Sequence, residues 1–138
     1  MARRLIKAHE GLRLTPYRCT EGYLTIGYGR NLETTGISRG EAEAMLDSDI
    51  AEAHRSLSFL DFWPDLNDAR KAALIDMVFN LGITGLMTFK KMLAALERKD
   101  YDTASSEILD SRYAIQVGAR AIRIATIIRS GVSPSNHH

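Results

Sequence analysis

One short stretch breaks the texture of this chain and sets its fold class. From Pro16 to Leu32, glycines at positions 22, 27 and 29 alternate with tyrosine and β-branched residues, the pattern of twisted hairpin strands. No other segment reads convincingly as β. Elsewhere apolar residues recur at helical spacing. The expected class is therefore α+β: a small N-terminal lobe with a β-hairpin, a long connecting helix and an all-α C-terminal lobe.

The helices can be placed from their end signals. Leu5, Ile6, Ala8 and Leu12 predict a short N-terminal helix that stops near Gly11. Ser38-Arg39-Gly40-Glu41 is a capping-box pattern. Behind it Ala42, Met45, Leu46, Ile50, Ala53 and Leu57 follow at helical spacing, so one long helix should run from about Ser38 to about Ser58. Phe59 to Leu66, with Trp63-Pro64, reads as the connection out of it. Asn67 or Asp68 can cap a helix through Asn80. Its apolar residues Ala72, Leu74, Ile75, Val78 and Phe79 lie on more than one side, which makes it a central, buried helix. Gly82 and Gly85 should break it. Shorter helices follow near Phe89 to Arg98, Tyr101 to Leu109 and Gly118 to Ser130, with Gly131 as a stop signal.

The chain has 138 residues, one domain's worth, and at 45% hydrophobic it can bury a core without staples. A single cysteine excludes an internal disulfide and a Cys-rich metal site, so the fold must hold in a reducing cytosol. Arg3, Arg4 and Lys7 resemble a charged leader region, but no uninterrupted apolar stretch follows. No apolar run is long enough to span a bilayer. The net charge of +1 hides an asymmetry: residues 39–68 carry eight acids against Arg39 and Arg55, and residues 111–138 carry four arginines and no acid. The acidic block reads as a solvated helix face. The basic end could also face an anionic surface. Four arginines without interleaved aromatics point to no nucleic acid partner. His137 and His138 are read as the remains of an expression tag and given no role.

Chemistry concentrates around the hairpin. Glu10 lies nine residues before Cys19, and Cys19 six before Thr25. This puts a carboxyl group at a helix end, facing a thiol and a hydroxyl on a ribbon. A carboxylic acid opposite a group that holds or activates water is the minimum equipment for cleaving a glycosidic bond. Taken singly, each residue has a plainer reading. Glu10 could sit in a surface ion pair, Thr25 could serve β propensity, and Cys19 could be a small buried hydrophobe.

Three segments together resemble the phage-type lysozymes, glycoside hydrolases that act on peptidoglycan. The first is Glu10-Gly11 with Thr20-Glu21-Gly22-Tyr23 and Thr25-Ile26-Gly27-Tyr28-Gly29. The second is Ala73 to Gly82, and the third Ser111-Arg112-Tyr113 with Gln116 to Arg123. The resemblance implies a lysozyme-like fold, with lobes at about 12–58 and 59–138, the N-terminal helix packed on the C-terminal lobe, and a cleft between the lobes. It also implies that Glu10 is the general acid, protonated until it donates to the leaving oxygen and raised in pKa by partial burial. Arg120 is expected to pair with Glu10, which would oppose that rise. Thr25 matches a threonine that helps hold the attacking water.

Cys19 stands where many members of the family have aspartate; a subset has cysteine. Only the thiolate is a good base or nucleophile, and the ordinary thiol pKa of about 8.5 leaves it mostly neutral at pH 7. Its role stays open between base and nucleophile. Arg30 and Asp49 match a structural ion pair joining the hairpin to the long helix. Glu21, Phe79, Asn80 and Arg112 match cleft positions and are read as sugar or peptide contacts; for Phe79 a core role weighs equally. The quick passage from Leu32 to Ser38 trims part of the cleft rim relative to longer relatives.

The activity so implied is that of an endolysin muramidase, which cuts the link between N-acetylmuramic acid and N-acetylglucosamine without a cofactor or metal. Peptidoglycan is the expected partner of a monomeric enzyme. The resemblance further implies residence in the host cytoplasm until a separate holin-type pore former gives access to the wall from the periplasmic side. The basic C-terminal segment leaves room for a weak membrane contact.

Overall fold

The computed structural model describes residues 1–133; His137 and His138 lie outside the described residues. Packing divides the chain into two compact units, with the boundary between Leu46 and Asp47.

The first unit begins with α1 (Ala2–Glu10). Gly11 ends it at φ 69°, donating its N–H back to the Lys7 carbonyl. None of the residues of α1 is buried. Three antiparallel strands follow, in the order β1 (Arg13–Arg18), β2 (Leu24–Gly27) and β3 (Arg30–Asn31). The expected two-stranded ribbon therefore gains a short third strand. Tyr17 pairs with Thr25 across β1 and β2, and Thr25 with Asn31 across β2 and β3. Thr25 thus lies in the middle strand, and at 3% exposure it is the buried residue of this unit.

α2 (Arg39–Leu57) starts where the capping box puts it, and both reciprocal bonds form. The Glu41 N–H donates to Ser38 Oγ at 3.1 Å, and the Ser38 N–H to Glu41 Oε1 at 2.8 Å. Of its apolar stripe only Ala53 and Leu57 are buried; Met45, Leu46 and Ile50 stay exposed. The hydrophobic core reaches α2 only in its last turns.

The second unit is helical. A 3-10 turn at Trp63–Asp65 carries the connection, and Asn67 caps α3 (Asp68–Met87) by accepting from the Arg70 N–H at 2.9 Å. Gly82 leaves helical geometry at φ 75° and ψ 163°, which kinks α3 where the sequence puts a break. Gly85 does not interrupt it. α4 (Lys90–Glu97), α5 (Tyr101–Leu109) and α7 (Ala119–Ser130) match their expected positions. A sixth helix, α6 (Arg112–Val117), was not foreseen; Ser111 caps it by accepting from the Ala114 N–H. Gly131 closes α7 in the left-handed region.

One core gathers these helices. Leu74 and Met77 of α3, Met92 and Leu96 of α4, Ile108 of α5 and Ile128 of α7 are fully buried. α5 packs on α4 and α7, and α7 also on α3. The buried Ser105 hydroxyl donates to the Ala125 carbonyl at 2.8 Å and ties α5 to α7. Arg70 stacks over Tyr101 and donates to the last carbonyls of α7, Ile128 and Arg129.

Candidate active site

Cys19 follows β1 and opens the turn to β2. Its N–H donates to the Tyr23 carbonyl at 2.9 Å, and its own carbonyl accepts from Gly22 at 2.8 Å. The turn is thereby closed around a half-buried thiol. The backbone N–H of Glu21, then that of Tyr23, hydrogen-bond the sulfur and hold its pKa below the ordinary thiol value. The Thr25 hydroxyl acts in the same direction more weakly, while burial and the Glu21 carboxylate oppose it. Fixed donors aimed at a sulfur favour the charged form. Thr25 itself donates to the Tyr23 carbonyl at 2.9 Å. Cys19 and Thr25 therefore lie on one hairpin, on either side of one turn.

Glu10, the last residue of α1, is exposed rather than partly buried. Its carboxyl lies on the backbone of Gly29. A methyl group at Gly29 would stand 2.6 Å from Glu10 Oε1 and 2.7 Å from Cδ. Gly29 also has φ +76°, a conformation that side chains disfavour. The hairpin end thus needs glycine twice over, once for the turn and once for the carboxyl that rests on it. Beside it the Lys7 ammonium sits 5.2 Å from the centre of the Tyr28 ring.

Arg30 comes next in the chain, and here the structure corrects the sequence reading. The expected partner was Asp49. The guanidinium instead closes on Glu41 as a two-pronged pair, Nη1 to Oε1 at 2.8 Å and Nη2 to Oε2 at 2.7 Å. Nη1 also donates to the Gly36 carbonyl at 3.0 Å. The short run from Leu32 to Ser38 leads into the first turn of α2, and Glu41 of that turn meets Arg30. Arg30 holds the Glu41 carboxyl down at a pKa of about 2, with the Ser38 N–H adding to the effect. A signal for this existed, since the capping box had already singled out Glu41.

The other expected contacts belong to the helical unit. Arg120 donates from Nε to Asp76 Oδ1 at 2.7 Å. That neighbour was not foreseen. Close by, Tyr113 is buried with no hydrogen-bond partner for its hydroxyl, and burial raises its pKa. Phe79 is half exposed and shares a hollow of about 330 Å3 with Asp49, Glu52 and Val78. Asn80 is exposed on the following position of α3. Arg112 is exposed at the start of α6 and lines a groove of about 530 Å3 with Phe89, Lys90, Asp110 and Tyr113. Glu21 is exposed in the Cys19 turn, where its N–H matters to the thiol. Among the described residues no group of three or more His, Cys, Asp or Glu side chains is gathered to hold a metal ion.

Glu10, Cys19 and Thr25 thus fall in one small unit built on a hairpin, and the chain as a whole agrees with that reading. It matches the Phage lysozyme family over residues 7–126. It is 30% identical to the probable T4-type lysozyme 1 of Dictyostelium discoideum, over 92% of each chain. It is 39% identical to an endolysin of Acyrthosiphon pisum secondary endosymbiont phage 1, over 76% of this chain and 73% of that one. It is also 30% identical to the pre-baseplate central spike protein Gp5 of Enterobacteria phage T4, over 92% of this chain and 27% of that larger protein. The match spans both units and includes every candidate catalytic residue: the chain belongs to the phage lysozyme family and is a lysozyme-type hydrolase of peptidoglycan.

Proposed function

We propose that this protein is a phage endolysin that hydrolyses the β-1,4 bond between N-acetylmuramic acid and N-acetylglucosamine and so lyses the bacterial host. In this reading Glu10 gives its proton to the leaving glycosidic oxygen as that bond breaks. The Cys19 thiolate takes a proton from water, and the resulting hydroxide bonds to the anomeric carbon. Thr25 helps hold that water. Glu21, Phe79, Asn80 and Arg112 contact sugar or peptide. Arg120 and the Arg30–Glu41 pair keep the surrounding structure in place. The reaction as written uses no cofactor. The enzyme acts as a monomer. It waits in the host cytoplasm until a separate holin-type partner opens the membrane, then works on the wall from the periplasmic side.

The observation that carries this reading is the Cys19 turn. A thiol at the family's aspartate position matters only if it ionises, and the backbone N–H groups of Glu21 and Tyr23 favour that form. Direct attack by the same thiolate would give a covalent intermediate and retention; a base gives inversion. The shared position of Thr25 beside Cys19 favours the base. Mass spectrometry of muropeptides released by the pure protein tests the bond, with reducing-end muramic acid expected. Anhydro ends would mean a lytic transglycosylase instead. NMR of the first-formed anomer should show inversion.

A further inference from the structure

We infer that Gly29 and the Arg30–Glu41 clamp together are a positioning device that seats the Glu10 carboxyl, so that losing either costs turnover before it costs fold or substrate binding. The inference rests on Glu10 being the acid.

The seat is made of backbone. Glu10 Cδ and Oε1 lie where a side chain at Gly29 would have to be. The carboxyl is the free end of a flexible side chain, so an alanine there would push it aside rather than break the unit apart. The conformation of Gly29, φ +76°, adds strain to any such change. A carboxyl displaced by an ångström is a poor proton donor to a fixed oxygen, because such transfer needs hydrogen-bond reach.

What fixes the seat is the next residue. β3 has only two residues, too few to hold an edge by pairing alone. Its ladder partners are Ile26 and Thr25. The Arg30 side chain supplies the missing anchorage through three bonds, two to Glu41 and one to the Gly36 carbonyl. Glu41 is in turn held by the Ser38 N–H at the start of α2. The clamp therefore ties the turn bearing Gly29, and the strand paired with Thr25, to the first turn of a 19-residue helix. A planar guanidinium on a carboxylate defines orientation as well as distance, which a lysine cannot do.

The test is steady-state kinetics on soluble glycan strands from peptidoglycan, with thermal melting on the same samples. Gly29→Ala should lower kcat about 10- to 100-fold with KM held within about twofold. Arg30→Met should lower kcat in the same way but less, and Arg30→Lys should fall between it and the parent. Asn67→Ala, which removes the cap of α3, is the control: it lowers the melting temperature and leaves kcat unchanged. Adding Gly29→Ala to Glu10→Gln should slow the enzyme no further, since the group being positioned is gone. If Gly29→Ala does not fold, Arg30→Met decides. Full kcat in a folded Gly29→Ala or Arg30→Met protein, beside an inactive Glu10→Gln, overturns the positioning role and leaves the acid in place. So does a kcat that falls only with the folded fraction. Full turnover by Glu10→Gln would instead remove the acid itself, and this inference with it.

Discussion

Thr25 is the buried residue between Met1 and Leu46 among the described residues, whereas from Ala53 to Ile128 one apolar core draws on α2, α3, α4, α5, α6 and α7. The first unit keeps its shape by other means: a three-stranded ladder, a closed turn at Cys19, the Arg30–Glu41 clamp, and Glu33, whose carboxylate accepts from the Leu24 N–H at 2.6 Å. The residues proposed to do the chemistry lie on this thinly buried unit. Packing fixes a hydrophobic core but tolerates few polar groups, whereas a hairpin held by directed bonds can aim a thiol, a hydroxyl and a carboxyl. Changes in the two units should therefore separate into losses of activity and losses of stability.

The largest separation is expected at Glu10. Glu10→Gln keeps the shape of an exposed side chain but removes its proton, so wall cleavage should fall at least ~100-fold, the lower end for general acid catalysis. The melting temperature should stay near that of the parent, because Glu10 is exposed. A folded variant that cuts peptidoglycan at near-normal rate would break the comparison at its strongest point.

The counterpart lies in the helical unit. Leu96 is fully buried in α4. Leu96→Ala should destabilise by about 2–5 kcal/mol, the range for a leucine truncated in a close-packed core. The protein that remains folded should turn over at the parent rate. Urea unfolding gives the first quantity, and activity normalised to folded fraction the second. A change in normalised activity would mean that the two kinds of loss do not separate by unit.

How much of this was legible beforehand follows the same division. Helix ends were readable because they are local: Gly11, Ser38 with Glu41, Asn67 and Gly131 act on their own backbone. α6 was missed because six residues are too few to show a period. β3 was missed because two residues carry no alternation. In the candidate site, the glycine-rich texture showed the hairpin on which Cys19 and Thr25 lie. Partners were harder. Arg30 was assigned to Asp49 when the acid already read as a helix cap was in reach. Asp76 beside Arg120 is 44 residues away in sequence, and no local pattern announces it. Nor does a sequence show that the Glu21 and Tyr23 backbone lies close enough to the Cys19 thiol to lower its pKa.

The Cys19 turn gives the next test. Its thiol pKa lies below the ordinary value because of the Glu21 and Tyr23 N–H groups. The rate of iodoacetamide labelling against pH should have its midpoint at a lower pH in the folded protein than in urea. Labelling should abolish cleavage. Cys19→Asp should keep more activity than Cys19→Ala, since aspartate is ionised at neutral pH. Full activity in Cys19→Ala would return the residue to packing and leave the water step to Thr25 and solvent.

The smallest effect should come from the clamp as a source of stability. Glu41 is held at a pKa of about 2 by Arg30 first, then by the Ser38 N–H, against about 4.3 for an unfolded glutamate. A carboxylate whose folded pKa is depressed stabilises the fold above its unfolded value and loses that contribution as pH falls through the folded one. The difference in melting temperature between the parent and Glu41→Gln should thus be complete above pH ~4.3 and close as pH drops toward 2. Both side chains of the pair are about 40% exposed, at 39% and 43%, so solvent screens it and the difference should be modest, and smaller still in high salt. A gap that stays constant from pH 7 down to 2 would show that Glu41 acts only through its neutral hydrogen bonds at the helix start. The clamp would then hold the turn bearing Gly29 by geometry, with charge contributing nothing.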